Sequence, residues 1–316
     1  MTYLKRLLLA TLGLTVMGSV VSTDASAQDT LEIYTTIYPL EFIAQEIGGD
    51  TVDVESIIPP GADAHSYEPT MQDMTSYANA DAFIYVGGNM EVFSDTIANA
   101  LTSQSVELIP LSDHEELFVA SAHDHDHEHD HDHGDEDHDH DHEEGQDPHI
   151  WISPTRMIDV AAIIKDEMIE LSPANEDLYL ENYEELVEAL EELDAAFHDT
   201  LANKENAHII VPHAAYGYWA EYGVTQIPLS GYSMSEEPSQ RQLQELVNTA
   251  NEYNIEYVLF EQNVDSRIPE VIQNEVGAEA RTIHNLEVRL EEEVQNGENY
   301  FDIMYRNLEV LDEVTY

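Results

Sequence analysis

SPANEDLYLENYEELVEALEELDAAFHDTLANK, residues 172–204, reads as one long amphipathic helix. Tyr179, Tyr183, Leu186, Leu190, Leu193 and Phe197 recur at steps of four and three, which lays a continuous apolar stripe along one face. Ser172 and Pro173 mark its start, and no glycine or proline interrupts it after the first turn. At 1.5 Å per residue the stretch would measure roughly 45–50 Å, more than one small lobe requires. A helix of that length with a stripe to bury serves as a spine between two lobes.

The chain on both sides fits that role. Upstream, a strand over 31–36 is followed by a helix carrying Leu40, Phe42, Ile43 and Ile47 that stops at Gly48-Gly49. A strand over 52–58 ends at Pro59-Pro60-Gly61, a helix covers 70–78, a buried strand 82–86 ends in Gly87-Gly88, and a helix covers 91–101. A helix over 154–171 buries Met157, Val160, Ile164 and Met168. Downstream the alternation resumes: strand 207–211, helix 216–222, a short strand within 224–229, helix 240–253, strand 257–260, helix 268–276, strand 281–283 and a last helix over 300–311. Strand alternating with helix predicts a mainly parallel sheet covered on both faces. The expected architecture is therefore α/β, with two lobes of this kind, 28–172 and 205–316, joined by the rigid helix 173–204.

Between 120 and 146 the composition changes. Nine histidines (His123, His125, His127, His129, His131, His133, His138, His140 and His142) alternate with acidic residues, and almost nothing there can be buried. Such a tract cannot offset the entropy of ordering and is expected to be a mobile loop. It runs into Asp147-Pro-His149-Ile-Trp-Ile-Ser-Pro154, where Ile150, Trp151 and Ile152 are core-type residues and Ser153-Pro154 caps the next helix. Imidazoles gathered this densely beside a fixed histidine point to a transition metal that the tract collects.

Sixty-six acidic against ten basic residues give a formal charge of −56. That surface suits a salty habitat and is a poor partner for nucleic acid or an anionic membrane. Residues 1–27 read as an export signal: Lys5 and Arg6, an apolar run over 7–21, and a small-residue cleavage site Ala25-Ser26-Ala27. The mature chain is expected to begin near Gln28 and to be periplasmic, without direct insertion into the membrane. The chain has no cysteine, which excludes disulfides, thiolate ligands, cysteine nucleophiles and lipidation of an N-terminal cysteine. No His-Glu-x-x-His helix, Gly-x-Ser-x-Gly elbow or phosphate-cradling glycine loop occurs, so the reading is not an enzyme.

In open α/β sheets ligands sit beyond the carboxyl ends of strands. His65, His149, His213, Glu261, His284 and Glu287 all fall at predicted strand ends or in the loops beyond them. Three fixed histidines and a carboxylate would make a closed four-coordinate shell for zinc.

Pro59-Pro-Gly-Ala-Asp-Ala-His65-Ser-Tyr-Glu-Pro69, Asp147-Pro-His149-Ile-Trp-Ile-Ser-Pro154 and Val211-Pro-His213-Ala-Ala-Tyr-Gly-Tyr-Trp219 match, in order and spacing, the metal-binding segments of one family. The chain resembles the zinc-binding solute receptors of ABC metal importers, over nearly the whole mature length and including the His-rich loop. The resemblance implies a monomeric receptor that delivers Zn2+ to a membrane ABC permease with its ATPase, from a site in the cleft between the lobes. It carries the three histidine ligands onto His65, His149 and His213. Manganese receptors of the family usually have glutamate at the third position, so His213 favours zinc; a manganese receptor stays an alternative.

The fourth ligand departs from the common pattern. Relatives that place a glutamate before the first histidine are matched here by Ala64, and many have an aspartate where this chain has His284. Glu287 is the favoured ligand, because three imidazoles and a carboxylate leave +1, whereas a fourth imidazole would bury +2; His284 is the alternative. Glu261 is read either as an acceptor that orients a ligand histidine or simply as a strand-end carboxylate. A second functional reading, an extracytoplasmic metal buffer or chaperone worked by the tract, remains beside the receptor.

Overall fold

Short runs of four or five residues, rich in β-branched and aromatic side chains, form the two sheets. In the computed structural model, which describes residues 30–62, 67–88, 91–118, 146–232, 239–262 and 267–316, the first sheet contains β1 (Leu31–Thr35), β2 (Val52–Ser56), β3 (Ala82–Tyr85) and β4 (Glu107–Pro110). Its order is β2-β1-β3-β4 with every ladder parallel. The second contains β5 (His208–Val211), β6 (Thr225–Pro228), β7 (Tyr257–Glu261) and β8 (Glu279–Ile283), in the order β6-β5-β7-β8 and again all parallel. All four β3 residues are buried, as a central strand covered on both faces requires.

The helices follow the expected periodicity. The first lobe carries α1 (Tyr38–Gly48), α2 (Met71–Tyr77) and α3 (Val92–Leu101). Thr70 and Asp73 close a capping box at the start of α2. Next comes α4 (Pro154–Leu171), whose first turn is capped by the Ser153 side chain. A single 3-10 turn, Pro173–Asn175, then leads into α5 (Glu176–Leu201). This 26-residue helix is roughly 39 Å long. Its buried residues Tyr179, Leu186, Leu190, Leu193, Phe197 and Leu201 follow the stripe seen in the sequence, whereas Tyr183 is only half-buried. The second lobe adds α6 (Gln240–Glu252), α7 (Arg267–Val276), α8 (Glu291–Asn296) and α9 (Tyr300–Val314).

Three elements differ from expectation. The segment expected as helix 216–222 is a 3-10 helix, Gly217–Tyr222, closed by Gly223 in the left-handed region. β4 and α8 had not been anticipated. The tract over 120–146, apart from Gln146, lies outside the described residues, as do His65 and the expected signal over 1–27.

One buried apolar cluster runs from Ile33 in β1 through Trp151, α4 and α5 to Leu311 and Val314 in α9, so the lobes share a core across their junction. A smaller cluster around Ile210, Val258 and Ile272 lies between the second sheet and its outer helices. Among the described residues no helix is long and apolar enough to cross a membrane.

Candidate metal centre

The segment that carries His149 precedes α4 in the first lobe and is held by residues of the second. The apolar triplet Ile150–Ile152 forms a buried 3-10 turn directly after His149. The Trp151 indole N–H donates to the Asn285 carbonyl (2.7 Å), and the Trp219 indole N–H donates to the Ile152 carbonyl (3.0 Å). Tyr218 donates its hydroxyl to the Asp147 carbonyl at 2.8 Å, and Tyr300 donates to the Trp151 carbonyl at 2.7 Å. The two tryptophans are thus packed in the core and also fix the loop. Gly217 passes so close to the Asp147 carboxylate that a Cβ there would overlap it.

His213 follows β5 by two residues and Glu261 ends β7, the neighbouring strand. His213 Nδ1 lies 2.9 Å from Glu261 Oε1, and His149 Nδ1 lies 2.8 Å from Asp147 Oδ1. Each carboxylate accepts a hydrogen bond from the Nδ1–H of its histidine, which turns Nε2 toward the site. His149 Nε2 is buried and has no hydrogen-bond partner among the described residues. The rings of His149 and His213 stand 5.3 Å apart between centroids, and Glu287 Oε1 lies 3.8 Å from His213 Nε2. One ligand atom from each of His149, His213 and Glu287 falls within 4.8 Å of the others, and all three residues are buried. Donors about 2.0–2.1 Å from a tetrahedral ion stand roughly 3.3 Å apart, so the His213–Glu287 pair needs to close by about half an ångström and no pair by more than about 1.5 Å.

His284 stands apart from this group. Its Nε2 pairs with Glu293 at 3.1 Å and its Nδ1 accepts the Leu286 N–H at 2.9 Å, so both nitrogens are engaged. Glu261 uses its second oxygen to accept from the Asn285 amide at 3.1 Å, and Asn285 in turn accepts the Glu287 N–H at 3.2 Å. A chain of hydrogen bonds therefore ties the carboxylate beside His213 to the loop bearing Glu287. The sequence did not single out Asp147 or Asn285. The only signal for Asp147 was its place two residues before a histidine, with a proline between them.

Two charges set the electrostatics. Burial pulls the His213 pKa down, but the Glu261 carboxylate, by charge and hydrogen bond, and then Glu287 outweigh it and raise it to about 10. Burial pushes Glu91 up to about 7, against the Gly87 and Val86 N–H groups that it accepts from at 3.4 and 3.2 Å; the Glu287 charge adds to the rise. Since the folded state holds the Glu91 proton more tightly, its contribution to stability falls as pH rises from about 4.5 through 7. Metal-free Glu91→Gln protein should therefore lose about 3 kcal/mol less than the parent between pH 4 and 8. Denaturant titrations at several pH values read this difference, and parallel curves for the two proteins would refute it.

A family model described as zinc-uptake complex component A, periplasmic, matches residues 33–314. The chain belongs to this family. Among family members, the high-affinity zinc uptake system protein ZnuA of Bacillus subtilis is 32% identical over 296 residues, covering 92% of this chain and 91% of that protein. The zinc-binding protein AdcA of Streptococcus pyogenes is 31% identical over 288 residues, 90% of this chain. The chain spans only 56% of the length of that protein. Streptococcus pneumoniae AdcA is described as a zinc-binding lipoprotein, whereas this chain contains no cysteine. The zinc-bound ZnuA-like domain of Streptococcus pneumoniae AdcA superposes with a TM-score of 0.72 at 28% identity, covering 90% of this chain and 99% of that domain. Family members are solute-binding receptors that work outside the cytoplasm.

Proposed function

We propose that this chain is a zinc receptor that binds one Zn2+ between its lobes and hands it to a membrane ABC permease driven by an ATPase. The observation that carries this reading is the buried set of His149, His213 and Glu287 donors, with a carboxylate on the far nitrogen of each histidine. His65, taken from the sequence resemblance, supplies the third imidazole. Glu287 is the fourth ligand rather than His284, whose ring is already bonded on both sides. Three neutral imidazoles and one carboxylate favour a borderline-soft ion such as zinc over manganese. Asp147 and Glu261 hold the two described rings in the tautomer that presents Nε2.

In this reading residues 1–27 are a cleaved export signal, 28–172 and 205–316 are the lobes, and 173–204 links them. The mature receptor works as a periplasmic monomer without a lipid anchor and without enzymatic activity. The nine histidines from His123 to His142 collect metal weakly before it reaches the site. Deleting 120–146 should leave one tight zinc per chain and abolish the weak additional uptake. A metal titration of the deleted protein, with zinc and manganese in competition, tests this. Loss of nearly all binding would favour a buffer worked by the tract.

A further inference from the structure

Glu287 follows β8 in the second lobe, yet its backbone is bonded to the first. The Tyr38 N–H at the start of α1 donates to the Glu287 carbonyl at 3.0 Å, and the Gly61 N–H donates to the Arg289 carbonyl at 2.8 Å. Between these bonds the Arg289 guanidinium reaches back to α1. It donates to Glu41 Oε1 at 2.9 Å and lies 4.3 Å from the centroid of the Tyr38 ring. Arg289 is one of ten basic residues in a chain with 66 acidic ones, and here it takes a carboxylate and an aromatic face on the same helix.

The other end of the loop is fixed within its own lobe. The His284 N–H donates to Asn307 Oδ1 at 2.9 Å, and Asn307 Nδ2 donates to the His284 carbonyl at 2.8 Å. Leu286, next to Glu287, is buried at φ 63, a left-handed conformation that a leucine adopts only where its surroundings impose it. A loop held in such a conformation from two sides will relax when one side is released.

We propose that Arg289 is a positioning residue for the metal, which clasps the 284–290 loop to α1 and so keeps the Glu287 carboxylate on the site. This rests on the reading of Glu287 as a ligand. Glu287 then moves with the first lobe, and breaking the clasp frees the carboxylate while the Asp147 and Glu261 holds on the His149 and His213 rings stay in place.

The test measures zinc dissociation into excess chromophoric chelator for Arg289→Ala, Glu41→Gln, Glu287→Ala and Arg289→Ala with Glu287→Ala. Arg289→Ala should release zinc about tenfold faster, the lower end of what losing a residue that orients a ligand costs. Glu41→Gln, which breaks the pair from the other lobe and keeps the arginine, should shift the rate in the same direction. In the Glu287→Ala background Arg289→Ala should add nothing, a result that a merely structural arginine would not give. An unchanged rate in both clasp variants with a faster rate in Glu287→Ala overturns the clasp alone, and so does an additive double variant. An unchanged rate in Glu287→Ala removes the ligand reading and the clasp with it.

Discussion

Replacing His213 by alanine should lower zinc affinity by more than about a hundredfold, beyond the 10–100-fold expected from losing an orienting partner such as Glu261. The same substitution should weaken the metal-free fold. His213 lies between two buried carboxylates, 2.9 Å from Glu261 and 3.8 Å from Glu287, and its raised pKa means that the ring is cationic near neutral pH. Removing it leaves two buried negative charges facing each other, and breaking a buried pair in this way costs roughly 3–5 kcal/mol. Zinc would ordinarily compensate, but the variant has also lost a ligand for it. Chelator competition gives the affinity and denaturant melts give the stability. A variant within about tenfold of the parent affinity would show that the metal does not depend on this ring.

Zinc affinity should also climb steeply with pH. Metal-free His213 titrates at about 10, so at neutral pH the site binds a proton where the ion must bind. Each ion displaces that proton, and affinity should gain about tenfold per pH unit from this residue, or about a hundredfold between pH 6 and 8. The stability term has the opposite direction. The imidazolium stabilises the metal-free fold fully below pH 6.5, and that contribution is lost as pH rises through about 10. Glu261→Gln removes the strongest hold on the proton and should flatten the profile. Calorimetry of tract-deleted protein in buffers of different ionisation heat counts the protons directly. Affinity unchanged between pH 6 and 8 would contradict the coupling.

The sequence reveals those parts of the molecule that short-range pattern dictates. α4 and α5 were legible because Met157 to Met168 and Tyr179 to Phe197 repeat with helical period, and Ser153 marks a start. β4 was missed because Glu107–Pro110 is four residues long, lies at a sheet edge and ends in proline. α8 was missed because Glu291–Asn296 offers Val294 as its sole apolar residue and so shows no stripe. At the candidate site, the strand-end rule singled out His65, His149, His213, Glu261, His284 and Glu287 alike; the structure brings donors of His149, His213 and Glu287 within 4.8 Å and sets Glu261 against His213. The rule could not show that His284, three residues before Glu287, turns away to Glu293, since that carboxylate is brought there by α8, which the pattern does not reveal. Nor does any local pattern join Arg289 to Glu41, a pairing that exists only once the lobes are assembled.

The shared core also constrains the order in which the molecule is made. Phe42 of α1 stacks on Tyr300 of α9 at 5.4 Å and meets Phe301 edge-on at 5.5 Å, while Tyr300 ties back to Trp151. The first lobe therefore cannot close around its own aromatic centre until residues from the far end of the chain arrive. Pairings this distant in sequence slow folding and couple the completion of one lobe to the other. A chain cut before its last helix should therefore leave Phe42 without its aromatic partners and lose order in the first lobe as well as the second.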